Sequence, residues 1–263
     1  MTVKAVIFDW AGTMVDFGSV APVIAMRQAF ADEGVVIEDE DIRAGMGRAK
    51  RDHLWTALSR HRVAAAWVVS HNAPPAEGDV DRMFAALDGL MREAGVARAT
   101  LIPGAREAAE ALRARGVRIG SGTGYSRSMI TPIVEAAAAQ GYSPEVIVCA
   151  GETPVGRPSP LMVWKALVAL GAYPAADVVK VDDAPVGVEE GKAAGCFTVG
   201  LAASGNMMGL DLADYTALTP ADREARLAPA RAALLAAGAD LVIDTVADLI
   251  PALTAAGKLS ADT

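Results

Sequence analysis

The chain has 263 residues, 52% of them hydrophobic and 21% charged, and its 24 Lys and Arg against 32 Asp and Glu leave a formal net charge of −8. That apolar fraction is enough for a packed core and excludes an intrinsically disordered chain, and the length fits one or two domains of roughly 100–200 residues. The acidic balance argues against non-specific nucleic-acid binding, which depends on Lys and Arg neutralising phosphates, yet a small anionic substrate in a locally positive site stays open.

In chain order, the opening MTVKAVIFDW passes straight into a strand pattern at 3–8. No apolar run before a cleavage site marks a signal peptide, so a cytoplasmic protein is expected. Further short apolar runs at 117–120, 146–149, 178–181, 196–200 and 241–243 read as buried strands, because strands covered on both faces show continuous Val and Ile rather than alternation. Amphipathic helical patterns fall between them at 105–115, 126–140, 159–170, 186–194 and 245–256. This alternation predicts an α/β fold with a parallel sheet.

Residues 19–98 break the rhythm. They read as helices alone, over 20–34, 39–60, 61–70 and 79–95, with the turn-rich HNAPPAEG at 71–78. The expected organisation is therefore an α/β core of 1–18 and 99–263 with a helical insert at 19–98. The uncharged stretch 193–210 carries Gly195, Gly200, Gly205 and Gly209 and reads as strand, loop and turn, not as a membrane span. Cys149 and Cys196 are too few for a disulfide framework or a zinc site and read as small buried hydrophobes.

Four motifs carry chemistry. In Phe8-Asp9-Trp10-Ala11-Gly12-Thr13 an apolar strand delivers Asp9 to its carboxyl end, where open α/β sheets bind ligands. Asp16 lies beyond the turn and reads as structural. In Gly120-Ser121-Gly122-Thr123-Gly124-Tyr125 a Gly-rich backbone follows a strand and precedes a helix, an arrangement suited to an anion. A dinucleotide fold is the alternative, but the glycine spacing differs from its fingerprint and the motif does not follow the first strand. Gly156-Arg157-Pro158 places a cation able to meet a phosphoryl oxygen. Finally Lys180-Val181-Asp182-Asp183 ends a strand in two carboxylates, which with Asp9 offer hard oxygen ligands suited to Mg²⁺.

The ordered set from Asp9 to Asp183 resembles the haloacid dehalogenase superfamily, and the helical insert resembles that family's mobile cap. The resemblance implies a Rossmann-like core, Asp9 as nucleophile forming an aspartyl phosphate, and Mg²⁺ held by Asp9, Asp183 and the carbonyl of Ala11. It also implies Thr123, before Ser121, on the phosphoryl oxygens, with Gly124 beside it and Arg157 where a lysine is commoner. Some members carry a second acid four residues after the metal aspartate; Gly187 stands there, and Asp182 is expected to fill that role.

Two departures narrow the function. Superfamily phosphatases carry a general acid two residues after the nucleophile, where this chain has Ala11; an alkoxide leaves poorly without a proton donor. The insert carries Gly45-Met46-Gly47-Arg48-Ala49-Lys50-Arg51-Asp52-His53, with Met46, Lys50 and His53 on one face if that segment is helical. Together with DWAGT and GTGYSR it is similar to the phosphonoacetaldehyde hydrolase family, in which a cap lysine forms a Schiff base with the substrate aldehyde. That similarity implies Lys50 as the imine-forming amine, its pKa lowered by desolvation or by Arg48 and Arg51. It implies His53 as a proton shuttle, Met46, Tyr125 and Ser19 as lining residues, a small phosphonate aldehyde as substrate, and a homodimer. His61 and His71 are expected to be bystanders. An ordinary phosphatase or phosphomutase of the same superfamily is the alternative, and a nucleotide-binding module built on GSGTG is a third.

Overall fold

The computed structural model describes residues 3–260. Its elements follow one another as β1 (Ala5–Phe8), α1 (Ala21–Asp32), α2 (Asp39–Arg43), α3 (Lys50–Leu58), α4 (His61–His71), α5 (Glu77–Ala97), α6 (Ala105–Ala114), β2 (Arg118–Thr123), α7 (Arg127–Ala139) and β3 (Val146–Cys149). Then come α8 (Leu161–Leu170), β4 (Val178–Asp182), α9 (Pro185–Ala194), β5 (Phe197–Leu201), α10 (Leu212–Ala217), α11 (Pro220–Ala236), β6 (Leu241–Ile243) and α12 (Leu249–Ala255).

All six strands run parallel in the order β3-β2-β1-β4-β5-β6. The chain leaves β1 in one direction to β2 and β3 and in the other to β4, β5 and β6, so the crevice at the carboxyl ends of β1 and β4 is a topological switch point. Register places Phe8 between Ser121 and Val181, which brings Asp9, Thr123 and Asp182 to the same edge of the sheet. Successive residues of β1 face opposite sides. Ala5 and Ile7 pack with Met162, Val163 and Leu170 of α8, whereas Val6 and Phe8 join the larger core with Leu112 of α6 and Met129 of α7.

Helices α1–α5 lie between β1 and β2, with α5 packed against α1 and against α7 of the sheet layer. The helix expected over 39–60 is two helices, α2 and α3, separated by a turn at 44–49. Gly47 explains the break, since its φ of +85° lies in the left-handed region that favours glycine. Met46 therefore sits in a turn, not on a helical face shared with Lys50 and His53. Helices α10 and α11 were not expected, and α11 carries Pro229 in its interior; its buried Leu227, Ala230 and Leu234 cover the segment after β5. Among the described residues no helix is long and apolar enough to cross a membrane.

Candidate active site

Asp9 follows β1 directly, its backbone N–H donating to Val181 O at 3.0 Å, so β4 fixes where the carboxylate begins. Asp182 ends β4 and Asp183 follows it, and oxygens of Asp9, Asp182 and Asp183 all lie within 4.8 Å of one another. Burial pushes Asp9 up to about 6, reinforced by Asp182 and opposed by Arg157. Burial, Asp9 and Asp182 hold Asp183 well above the usual carboxylate range. Asp182 goes the other way: burial would raise it, but Lys180 and Arg157 hold it below its ordinary value. Lys180 Nζ donates to Asp182 Oδ2 at 2.6 Å.

The neighbourhood is short of positive charge. Asp9, Asp182, Asp183 and Glu190 are all buried, and the buried cations paired with them are Arg157 and Lys180. Buried carboxylates without compensation are costly, and an all-oxygen donor set beside that deficit suits a hard divalent cation. The three aspartates could hold a metal ion.

A pocket of about 290 Å³ opens on this edge. The sheet side supplies Asp9, Ala11, Thr123, Gly124, Tyr125 and Asp183, and Ser19, Met46 and Lys50 close it from the segment after β1. Thr123 Oγ1 accepts from Tyr125 N at 3.1 Å, which leaves its hydroxyl proton available. Ser121, by contrast, is buried outside the pocket with its hydroxyl unpartnered. Gly124 has a steric reason: a Cβ there would lie 2.4 Å from Arg48 O and 2.8 Å from Gly47 O, so only glycine lets the 44–49 turn rest on the β2 loop.

Lys50 is 3% exposed at the first turn of α3. Burial pulls its amine down to about 8, against the attraction of Asp9, with Arg157 adding to the lowering. The helix N-terminus also disfavours a cation. Arg51, expected to act on it, is engaged at the surface by Glu77 and Asp81. The amine stands over the Tyr125 ring, 5.0 Å from its centroid.

Two candidates sit elsewhere. His53 is fully buried outside the pocket wall, and its Nε2 donates to Ile42 O. Burial, with the Lys50 charge, drives its pKa down to about 3. Its ring braces the segment leading into the 44–49 turn and does not line the pocket. Arg157 lies behind Asp9 rather than in the pocket: Nη1 donates to Asp9 Oδ1 at 2.8 Å, Nη2 to Gly122 O at 2.9 Å and Nε to Glu190 Oε2 at 2.9 Å. Asp16 accepts from Val20 N and Ala21 N at the start of α1, a structural role.

The family model of haloacid dehalogenase-like hydrolases matches residues 3–195. The chain belongs to the haloacid dehalogenase-like hydrolase family. It is 46% identical over 249 residues to a phosphonoacetaldehyde hydrolase of Paraburkholderia phytofirmans, covering 95% of this chain and 93% of that one. It is 41% identical to one of Hahella chejuensis, covering 94% of this chain and 84% of that one. A crystal structure of a phosphonoacetaldehyde hydrolase-like protein from Oleispira antarctica superposes with a TM-score of 0.96 at 38% identity, covering 97% and 92% of the two chains.

As a hydrolase of this family the chain pairs Asp182 with Gly187. A Cβ at 187 would lie 2.0 Å from Asp182 Oδ2, so the Asp182 carboxylate occupies the space a side chain there would need. Sequence reasoning missed Lys180, Glu190 and Asn206, whose backbone N–H donates to Asp183 Oδ2 at 2.7 Å. A lysine inside the apolar run of β4 was the available signal, since lysine is almost never fully buried unless paired. Glu190 and Asn206 gave none.

Proposed function

We propose that this protein hydrolyses phosphonoacetaldehyde to acetaldehyde and phosphate, through an imine on Lys50 and an aspartyl phosphate on Asp9. The observation that carries the reading is a buried amine with a lowered pKa lining one pocket with a strand-end carboxylate. The printed names of relatives matching over most of the chain support the substrate.

Neutral Lys50 adds to the aldehyde carbon, and loss of water with uptake of one proton from solvent gives an iminium next to the carbon–phosphorus bond. Asp9, one oxygen held by Arg157, attacks phosphorus with the other. The bonding pair flows from the breaking C–P bond into the iminium and leaves an enamine. That carbon takes a proton, water cleaves the imine to free acetaldehyde, and water cleaves the aspartyl phosphate. Ala11 fits this chemistry, because a carbon leaving group needs an electron sink rather than an acid beside an oxygen. Thr123 would donate to the phosphoryl oxygens, and Tyr125 and Met46 would wall the aldehyde. Asp9, Asp183 and the Ala11 carbonyl would hold Mg²⁺, which when bound neutralises charge between the carboxylates and the phosphoryl group.

In this reading 19–98 is a cap over the core of 1–18 and 99–263, and the working state is a cytoplasmic homodimer. Protein given phosphonoacetaldehyde and Mg²⁺ is expected to release phosphate and acetaldehyde in equal amounts and to stop on chelation. Faster phosphate release from phosphomonoesters than from the phosphonate would overturn the assignment.

A further inference from the structure

Behind Asp9 lies a set of buried charges that do not line the pocket. Arg157 commits every nitrogen to the protein: besides its bonds to Asp9, Gly122 and Glu190, Nη1 lies 3.4 Å from Gly47 O and Nη2 3.5 Å from Asp182 Oδ2. Glu190 is fully buried on α9, and its Oε2 also lies 3.7 Å from Lys180 Nζ. Its other oxygen has no partner. The helix that carries it has little freedom, because a Cβ at Gly191 would lie 2.7 Å from both Lys180 and Thr198 side chains.

We propose that Glu190 is a positioning residue for Asp9, acting through Arg157. A guanidinium is a rigid planar fork, so the bond that fixes Nε fixes the direction in which Nη1 points. Nη1 holds Asp9 Oδ1, and this leaves the second carboxylate oxygen as the one presented to phosphorus. With Glu190 removed, the fork keeps its outer contacts but loses the anchor nearest its pivot, and Asp9 loses a fixed orientation. In-line attack depends steeply on such placement.

The inference rests on the function proposed above and predicts a split between its two halves. Lys50 meets the aldehyde across the pocket and makes no contact with Glu190. Imine formation should therefore survive a change that slows attack on phosphorus. The test uses the full chain with Mg²⁺ and phosphonoacetaldehyde, reading borohydride trapping and single-turnover phosphate release side by side. Glu190→Leu removes the acceptor at similar bulk, and phosphate release is expected to fall roughly ten- to a hundredfold while trapping stays near wild type. Glu190→Gln keeps an acceptor for Nε without the charge and should recover much of the rate, falling by about threefold.

Wild-type release in both variants, or equal loss of trapping and release in Glu190→Leu, overturns the inference. If Glu190→Leu does not fold, Glu190→Gln decides alone, and a release-to-trapping ratio equal to wild type is the contrary result. A wild-type protein that releases phosphate without trapping retires the imine reading instead. The order of the phosphate-release rates then still judges Glu190.

Discussion

Lys50 Nζ stands 5.0 Å from the centroid of the Tyr125 ring, inside the pocket that Asp9 also lines. The two contacts act on the amine in opposite senses to its burial. A ring face and a nearby carboxylate favour the ammonium, while desolvation favours the free amine and prevails. The outcome is an amine that loses its proton near pH 8, the form that the proposed imine chemistry requires.

The pH dependence of kcat/KM follows from that balance. Lys50 is lowered from 10.5 to about 8, so the reactive neutral form dominates above pH 8 and is lost as the pH falls. Each pH unit below 8 should reduce kcat/KM about tenfold, reaching roughly a hundredfold at pH 6. A rate profile measured from pH 6 to 9 checks this, and a flat acid side would contradict it.

His53 should register in stability rather than in rate. Its pKa is lowered from 6.5 to about 3, so the unfolded chain binds the extra proton between those values. Its contribution is complete above pH 6.5 and is lost as the pH falls toward 3. The unfolding free energy of wild type minus that of His53→Gln should drop by about 2 kcal/mol between pH 7.5 and 5. Using the difference removes the opposing effect of Asp9 and Asp16, both raised by burial. A pH-independent difference in urea titrations would refute the neutral brace.

Asp182 and Gly187 should behave as one unit. Gly187→Ala drives a methyl into the Asp182 carboxylate and is expected to destabilise by about 1–3 kcal/mol and to weaken Mg²⁺-induced thermal protection. In an Asp182→Ala background the same substitution should cost much less, because the clashing group is gone. Thermal melts of the four proteins, with and without Mg²⁺, complete the cycle; additive effects would rule the coupling out.

The strand ends were legible because buried parallel strands write themselves as unbroken Val and Ile runs, and the residue after each run lands at one edge of the sheet. That rule places Asp9 and Asp182 at the edge; Thr123 and Asp183 were singled out by the family resemblance, because β2 runs on through Ser-Gly-Thr past its apolar residues and Asp183 lies one residue beyond β4. The turn at 44–49 was hidden because Gly45 and Gly47 sit in a segment whose residue spacing also suits a helix. Arg157 was legible as a cation near the sheet edge, but not as the hub behind Asp9, since its partners Gly122 and Glu190 lie far apart in sequence. His53 looked like a second member of the Lys50 face; burial against Ile42, which no spacing reveals, decides its protonation state.

The most direct test is to locate the bond formed with the substrate. Protein incubated with phosphonoacetaldehyde, reduced with borohydride and digested should carry an N-ethyl group on the Lys50 peptide. Asp9→Asn should instead retain the phosphonoethyl group there, because the C–P bond stays intact, and Lys50→Arg should carry neither and release no phosphate. An unmodified Lys50 in wild type turning over at full rate, or normal phosphate release by Lys50→Arg, would contradict the account.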